Sequence, residues 1–458
     1  GDTRPCVDND NNCSVIRVSD TTSWQQPRGK QAGDTRWPID YDGITGIWQT
    51  VWLEPASLLR ICHVGYRYHR SEQRLQITVR LSEHSEADVT VTLHHGEDQS
   101  ISSMKNCALR SEVVINLDVP DPRLWCPEDP HLYPVTLQIY QDQILGDEVL
   151  SYTGLRTIDI DKGKLQLNGE KLYVRGILDQ GYFEQGWYTP VSDEALKRDV
   201  ELTLAMGFNL VRKHQKIEDP RYLFWADQLG LLVWNEMPSG RIFSTALIHD
   251  LTHEWMSIIE RDQAHPSIIG WVPFNESWGV WNQRQRPEQR HFVDAIFHLT
   301  KALDPSRPVI GNDGWEYSTG DLWTLHLYDT TEETLASRLQ ALIEQPSGPV
   351  HDGAEPRVGA LPGADPRGKP ILLTECGGIG LITPEALMDD APFAYGDLPT
   401  TVTELTARTE ALLAAIAATP AIDGFVWTQF TDVQQEINGL LTFNREPKIP
   451  LEILRSMI

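Results

Sequence analysis

The stretch GWVPFNESWGV, which runs from Gly270 to Val280, joins a short apolar strand to polar residues at its end. The first half is apolar and predicts a buried strand, and Asn275 and Glu276 follow where that strand ends. A carboxylate beside aromatic neighbours such as Trp278 is poorly solvated, and poor solvation favours the neutral acid. The stretch therefore predicts a proton donor carried on the tip of a buried strand.

Seven other strand-like segments lie around this stretch, and most of them are separated by sequences with a helical period. They are YVRGILD, NLVRKH, LLVWNEM, PVIGND, TLHLYD, ILLTECG and GFVWTQF. Eight such units are typical of a (β/α)8 TIM barrel, whose catalytic groups lie at the C-terminal ends of the strands. Polar residues recur at these ends, namely Arg212, Glu236, Asn275, Glu276, Asp313, Tyr328, Glu375 and Gln429.

The part of the chain before the barrel has a different pattern. Short, β-branched and often alternating segments are separated by Gly, Asp, Ser and Pro, as in β-sandwich domains. SVIRVSD and TGIWQTVWLE read as the last strands of a first sheet, and a second sandwich is expected over residues 59–156. Further along, Ser192 is predicted to cap a helix, because acidic residues and an i, i+4, i+8 apolar series follow it.

Composition excludes several classes of function. The chain has 458 residues, 40% of them hydrophobic, and a formal net charge of −26. Nucleic acids and anionic membrane surfaces attract clustered Lys and Arg, so neither is an expected partner. No run of residues approaches the length of a membrane span. The six cysteines lack C-x-x-C spacing, and we expect neither a metal site nor a cofactor; the cellular compartment stays open.

Two glutamates stand at the ends of strands that face each other across the predicted barrel. Glu276 follows the fourth strand and Glu375 lies at the end of the seventh. Two carboxylates about 5–5.5 Å apart are the machinery of a retaining glycosidase. We expect Glu375 to attack the anomeric carbon and Glu276 to protonate the leaving oxygen. Apolar neighbours and the negative charge of Glu375 are expected to keep the proton on Glu276.

Several motifs occur in the order found in one known family. GITGIWQTVWLE, LWCPEDPHLYPV, FNLVRKH, GWVPFNES and ILLTECGG resemble glycoside hydrolase family 2, which contains β-galactosidases, β-glucuronidases and β-mannosidases. The resemblance covers nearly the whole chain. It implies the C-terminal part of a sugar-binding jelly roll over residues 1–58, an immunoglobulin-like β-sandwich over residues 59–156 and a TIM-barrel catalytic domain over residues 157–458.

The same resemblance assigns roles to the two glutamates and their neighbours. Glu276 matches the acid/base and Glu375 the nucleophile of the family. Asn275 matches the residue that bonds the sugar 2-hydroxyl. Arg212 matches the arginine that supports the nucleophile.

Other site residues carry alternatives. Tyr328 matches the tyrosine that donates a hydrogen bond to the nucleophile. Trp427 matches an apolar platform under the sugar, although plain core packing also explains it. Asp179, Gln180 and His326 are candidates for substrate contact, and a single barrel histidine such as His326 is often structural.

The subtype is inferred from departures from the family pattern. Glucuronidases place Asn-x-Lys after the last strand to pair the sugar carboxylate, whereas this chain has Glu436, Ile437 and Asn438 there. We therefore expect a retaining exo-β-glycosidase, of the β-galactosidase type, acting on a glycoside or oligosaccharide. One alternative is a β-glucuronidase or other uronic-acid-specific hydrolase that uses Lys213 or Lys216. Another is a non-catalytic carbohydrate-binding protein; assembly into a homo-oligomer stays open.

Overall fold

The computed structural model describes residues 16–33, 35–96, 99–351, 356–382 and 392–458. Within residues 16–58 the backbone pairs only at an isolated bridge between Gln31 and Tyr41. Of the expected strand SVIRVSD, Ser14 and Val15 lie outside the described residues; the rest of it and all of TGIWQTVWLE form no strand. Neither segment lies beside a strand among the described residues, so neither can exchange ladder hydrogen bonds, and Trp52 and Leu53 are exposed.

A β-sandwich follows, because alternate residues of its strands are apolar and point to a shared interior. Its strands are β1 (Ile61–His69), β2 (Arg74–Ser85), β3 (Asp88–His94), β4 (Ser100–Asn106), β5 (Arg110–Asp118), β6 (Tyr133–Gln141) and β7 (Ile144–Thr153). One antiparallel sheet has the order β1-β2-β5 and the other β4-β3-β6-β7. Ile77, Val91 and Leu137 belong to the core between the sheets.

A small antiparallel sheet separates this sandwich from the barrel. It consists of β8 (Ile158–Asp161), β9 (Lys164–Leu167) and β10 (Glu170–Lys171). Leu165 and Leu167 pack into the same apolar cluster as Val174 at the start of the next strand. The small sheet therefore covers the N-terminal end of the barrel, away from the predicted catalytic face.

The barrel alternates strands with outer helices. Its strands, and the hairpin β16–β17 beside them, are β11 (Val174–Asp179), β12 (Leu210–Lys213), β13 (Leu232–Glu236), β14 (Ile268–Val272), β15 (Trp323–Leu327), β16 (Pro349–His351), β17 (Arg357–Val358), β18 (Ile371–Gly377) and β19 (Ile422–Thr428). Seven of the strands form one parallel sheet in the order β14-β13-β12-β11-β19-β18-β15. Every residue of β12, β13, β14, β15 and β19 is buried, as expected when helices cover a parallel sheet.

The helices are α1 (Asp193–Ala205), α2 (Pro220–Leu229), α3 (Thr245–Asp262), α4 (Pro287–Leu303), α5 (Glu332–Glu344), α6 (Val402–Ala417) and α7 (Leu451–Met457). The prediction for the first of them is confirmed, because the side chain of Ser192 accepts a hydrogen bond from the backbone N–H of Ala195. In the described part of the chain, each helix is too short or too polar to span a membrane.

The fifth predicted barrel strand differs from the others. PVIGND joins β14 only through isolated parallel bridges, Trp271 with Val309 and Asn275 with Asp313. Proline lacks a backbone donor and glycine weakens a strand, and this segment contains both Pro308 and a glycine. The segment nevertheless fills the gap beside β14 and carries Asp313 to the same face as the other strand ends.

Candidate active site

Arg212 lies at the centre of the barrel's C-terminal face. Its side chain is completely buried because it points inward from β12. The guanidinium pairs with Glu236 at 2.6 Å, Asp313 at 2.6 Å and Glu375 at 3.1 Å. It also donates to Oδ1 of Asn275 at 2.6 Å. One cation thus holds residues from four strand ends in fixed positions.

Glu375, in β18, has donors on both of its oxygens. Arg212 donates to Oε1 at 3.1 Å, and the hydroxyl of Tyr328 donates to Oε2 at 2.5 Å. Tyr328 follows β15 directly and stacks on Tyr395 with ring centroids 3.6 Å apart. Hydrogen bonds and a nearby cation stabilise the ionised carboxylate, which is the form that a nucleophile requires.

Glu276 lies in a turn after β14 whose backbone is unusual. Glu276 has φ of +52° and Ser277 has φ of +58°, both in the left-handed region that non-glycine residues rarely occupy. The backbone N–H of Glu276 donates to the carbonyl of Asp313, and that of Ser277 to Oδ1 of Asn312, which fixes the turn. Such backbone strain is concentrated at functional sites. Here the turn directs the Glu276 side chain into the pocket, where it is 17% exposed.

Glu276 and Glu375 lie close together on either side of His326. Nδ1 of His326 is 2.9 Å from Glu276 and 3.5 Å from Glu375. One oxygen of each carboxylate and one ring nitrogen all lie within 4.8 Å of one another. So close an approach of two carboxylate oxygens is compatible with the roughly 5–5.5 Å between the carboxyl groups of retaining glycosidases.

The position of the proton differs from the expectation. Burial lowers the pKa of His326, but the charges of Glu375 and Asp313 outweigh burial and raise it to about 10. Burial raises the pKa of Glu276, whereas the hydrogen bond and charge of His326 lower it, and the net direction is down. These directions favour the proton on His326 over Glu276, where it was expected. The sequence pattern could not place His326 between the two glutamates.

The trio of Glu276, His326 and Glu375 also has the ligand types that bind a metal ion. His326 already forms a hydrogen bond with Glu276, and the guanidinium of Arg212 lies 3.1 Å from Glu375, so two positively charged groups face the carboxylates. The donor set therefore fits a shared proton better than a second cation.

Asn275 and Trp427 lie next to the carboxylate pair. Asn275 is buried, and its Nδ2 has no hydrogen-bond partner among the described residues, so it can donate to a sugar hydroxyl. Trp427, in β19, is buried in the barrel core. Gly377, with φ of +83°, lies flat against the indole, since a Cβ there would be 2.5 Å from the ring.

Asp179 ends β11 and Gln180 follows it, but the two side chains have different surroundings. Asp179 pairs with Lys213 at 2.5 Å and accepts from the backbone N–H of Gly181 at 2.8 Å, so both of its oxygens are engaged. Gln180 donates to Gln429 at 2.9 Å, and its Oε1 has no partner in the described structure. Gln180 is thus available to a ligand, and Asp179 belongs to a neighbouring ion-pair cluster.

Lys213 and Lys216 are occupied within that cluster. Lys213 pairs with Glu218 at 2.7 Å in addition to Asp179. Lys216 pairs with Glu218 at 3.0 Å and donates to the carbonyl of Gly181 at 2.6 Å. Neither ammonium is free to bind a sugar carboxylate, so the uronic-acid alternative loses the two cations on which it was based.

Three residues beside the site, Lys30, Glu436 and Tyr395, were not identified as site residues from the sequence. Lys30 reaches the barrel mouth from the N-terminal segment and lies 3.6 Å from Glu436, which was noticed only as a replacement for a family motif. No local pattern identifies Lys30, because its partner is far away along the chain. For the third, Tyr395, the only signal in the sequence is that the residue is aromatic, and aromatic residues are common in binding sites.

A cavity of about 380 Å³ adjoins the carboxylate pair. Glu276 forms part of its wall, so the cavity is where a leaving group would accept the acid's proton. Its described lining is Glu276, Trp315, His326, Tyr328, Asp329, Arg338, Val350 and Tyr395. Aromatic faces and a few polar groups are the usual lining of such a binding site.

Comparison with known proteins places the chain in a family. Residues 59–156 match "Glycosyl hydrolases family 2", and residues 158–377 match "Glycosyl hydrolases family 2, TIM barrel domain". The chain is 31% identical over 204 residues to a beta-galactosidase of Psychromonas ingrahamii, covering 42% of this chain and 18% of that protein. It is 26% identical over 280 residues to a putative beta-glucuronidase of Formosa agariphila, covering 58% of this chain and 34% of that protein. The chain thus spans well under half the length of these relatives.

A solved structure supports the same placement at the level of fold. The GH2 beta-galacturonidase from Eisenbergiella tayi bound to glycerol superposes with a TM-score of 0.68 at 20% identity, covering 88% of this chain and 72% of that one. Taken with the two domain matches, this likeness shows that the chain belongs to glycoside hydrolase family 2.

Proposed function

We propose that the protein is a retaining exo-β-glycosidase that removes terminal, non-reducing, β-linked sugars, with a β-galactoside as the preferred substrate. The observation that carries this proposal is the arrangement of the carboxylate pair. Their oxygens lie within 4.8 Å, and only Glu375 is held by Arg212 and Tyr328. This asymmetry gives the two carboxylates different roles.

In the first step, an oxygen of Glu375 attacks the anomeric carbon while the bond from that carbon to the leaving oxygen breaks. The leaving oxygen takes a proton from Glu276, and a glycosyl ester on Glu375 results. In the second step, Glu276 takes a proton from water, the water oxygen attacks the same carbon, and Glu375 leaves as a carboxylate. Two inversions at one carbon give retention of configuration.

His326 supplies the proton in this scheme. Before the glycoside binds, His326 carries this proton in our proposal and donates it in a hydrogen bond to Glu276 across 2.9 Å. When the leaving oxygen approaches Glu276, it competes for the same hydrogen bond, and the proton passes from Nδ1 to the carboxylate. Asn275 assists by donating its free N–H to the sugar, since its carbonyl is fixed by Arg212.

Initial rates on p-nitrophenyl β-glycosides test the proposal. The panel contains the galactoside, glucoside, glucuronide, mannoside and galacturonide, and Glu375→Gln is assayed beside the unchanged chain. We expect one clear preference, for the galactoside, and its loss in the variant. Proton NMR of the first-formed sugar tests retention. Sugar binding without hydrolysis of any glycoside would instead indicate a carbohydrate-binding protein.

A further inference from the structure

The N-terminal segment crosses the mouth of the barrel beside the site. The backbone N–H groups of Arg28 and Gly29 both donate to the carbonyl of Ser239 at 3.0 Å. Gly29 has φ of +62°, and a Cβ there would lie 2.2 Å from the carbonyl oxygen of Gln215. Only glycine permits this approach to the loop after β12. The next residue, Lys30, is thereby held over the strand ends.

Lys30 is a buried cation with free donors. Its side chain is 7% exposed, and its closest described carboxylate, Glu436, lies 3.6 Å away, beyond hydrogen-bond distance. Among the described residues no acceptor forms a hydrogen bond with its ammonium, which otherwise lies 5.7 Å from the ring of Tyr41. Burial raises the pKa of Glu276, the hydrogen bond and charge of His326 lower it, and the charge of Lys30 lowers it further, so Lys30 lies within electrostatic range of the acid.

Glu436 is a buried acceptor beside Lys30. It accepts from the hydroxyl of Tyr41 at 2.5 Å and from Nδ2 of Asn438 at 3.1 Å. Asn438 in turn accepts from Gln429 at 2.7 Å, and Gln429 accepts from Gln180 at 2.9 Å. This chain of hydrogen bonds ends at Oε1 of Gln180, which has no partner among the described residues.

Glu436 also lies close to the reacting groups. Its backbone forms a bridge with Phe393, whose ring lies 5.3 Å from that of Tyr395. Tyr395 stacks on Tyr328, which donates to Glu375. A sugar resting on the carboxylate pair therefore has Lys30 as a donor, and Glu436 and Gln180 as acceptors, around its remaining edge. A donor beside an acceptor is suited to adjacent hydroxyl groups, each of which both donates and accepts.

The balance of charge around the mouth disfavours an acidic sugar. The carboxylates there are those of Glu276, which is 17% exposed, and of the buried residues Asp40, Glu236, Asp313, Glu375 and Glu436. The buried cations facing them are Lys30, Arg212 and Arg241, with His326 protonated and His214 neutral because burial lowers its pKa. Carboxylates outnumber cations in this set, so a further carboxylate on the substrate would be repelled.

We propose that Lys30 and Glu436 together bind adjacent hydroxyl groups of an uncharged terminal sugar, and that Glu436 excludes uronic acids. This inference rests on the proposed function and names the class of sugar for the same site. Lys30 donates to one sugar oxygen, and Glu436 accepts from the neighbouring hydroxyl. The pair therefore determines specificity and takes no part in the bond-breaking steps.

Glu436→Gln tests the exclusion. The change removes the charge that repels an acidic sugar and leaves Lys30 able to pair with a carboxylate. We expect the ratio of kcat/KM for p-nitrophenyl β-galacturonide to that for the β-galactoside to rise about tenfold or more. Glu446→Gln, an exposed glutamate in the same part of the chain, is the matched control and should leave the ratio where it is. An unchanged ratio in Glu436→Gln would overturn the inference.

Lys30→Met tests the attraction and separates this inference from the proposed function. We expect it to lower kcat/KM for the galactoside about tenfold, mainly through KM, because a hydrogen bond to the sugar is lost. Calorimetric titration of galactose and galacturonate into Glu375→Gln, with and without each change, gives the same comparison without turnover. If the unchanged chain hydrolyses nothing, the proposed function fails, and the calorimetry alone then decides this inference. Equal affinities in all variants would refute it.

Discussion

Arg212 and Lys213 are neighbours on one strand, yet they belong to clusters with different properties. Both side chains are buried, and they point to opposite sides of β12 because the side-chain period of a strand is two. Arg212 pairs with Glu236, Asp313 and Glu375. We call this set the Arg212 cluster.

Lys213 pairs with Asp179 at 2.5 Å and Glu218 at 2.7 Å, and lies 4.3 Å from the ring of Tyr222. With Lys216, this set is the Lys213 cluster, in which two ammonium groups face two carboxylates. In the Arg212 cluster, one guanidinium serves three carboxylates. Buried charge alone therefore does not mark an active site; the surplus of carboxylates and their opening to a pocket do.

The largest expected difference between the two clusters is in activity, when one glutamate of each cluster is replaced by glutamine. We expect Glu375→Gln to lower kcat by roughly 10³-fold or more, because an amide oxygen cannot form the glycosyl ester. Glu218→Gln, in the Lys213 cluster, should retain most of the activity of the folded protein. Rates per folded molecule, with folding checked by circular dichroism, decide the point. Comparable losses in both variants would remove the distinction between the clusters.

The two cations offer the next comparison. Arg212→Met and Lys213→Met each take a buried cation away from the carboxylates that it pairs with, so we expect each to lower the free energy of unfolding by about 3–5 kcal/mol. Only Arg212→Met should also lower kcat/KM of the remaining folded molecules, by about a hundredfold, because Glu375 and Asn275 lose their support. Urea unfolding and initial rates measure the two effects separately. Equal kcat/KM in both variants would show that Arg212 is only structural.

The sequence predicted the parts of this site that follow from strand pattern. Glu276 and Glu375 stand at strand ends that the pattern identifies, and the barrel places both at one face. Their roles stay predictions until rates are measured. The fifth predicted strand, which contains Pro308, is not a regular strand in the structure, because it pairs with its neighbour only through isolated bridges. The contact of Lys30 with Glu436 could not be predicted, because residues far apart in sequence meet only when the barrel closes.

The location of the proton was also beyond the sequence, and pH dependence tests it. Because the pKa of His326 is raised to about 10, the pair of His326 and Glu276 keeps one proton well into the alkaline range. We expect the alkaline limb of kcat/KM to lie above about pH 8, and His326→Asn to move it down by about one unit or more. His214→Asn should leave that limb in place, since His214 is neutral throughout. An alkaline limb unaffected by His326→Asn would contradict the shared proton.

The smallest expected effect is a difference in the pH dependence of stability between the two clusters. Burial raises the pKa of Glu218, but Lys213 and Lys216 outweigh it and lower the pKa to about 2. A lowered pKa stabilises the folded state above the ordinary glutamate pKa and loses that contribution as pH falls to about 2. The unchanged chain should therefore have a higher free energy of unfolding than Glu218→Gln at neutral pH, and this difference should shrink by about 3 kcal/mol on acidification to about pH 2.

Glu236, in the Arg212 cluster, should show the opposite slope. Burial raises its pKa, and the charge of Arg212 only partly offsets this, so the folded state binds the proton more tightly than the unfolded state does. Its contribution to stability then grows as pH falls toward the ordinary glutamate pKa. Urea unfolding of Glu218→Gln, Glu236→Gln and the unchanged chain between about pH 3 and 7 compares the slopes. Parallel curves would show that the surplus of carboxylates around Arg212 has no energetic consequence, and opposite slopes would confirm that it does.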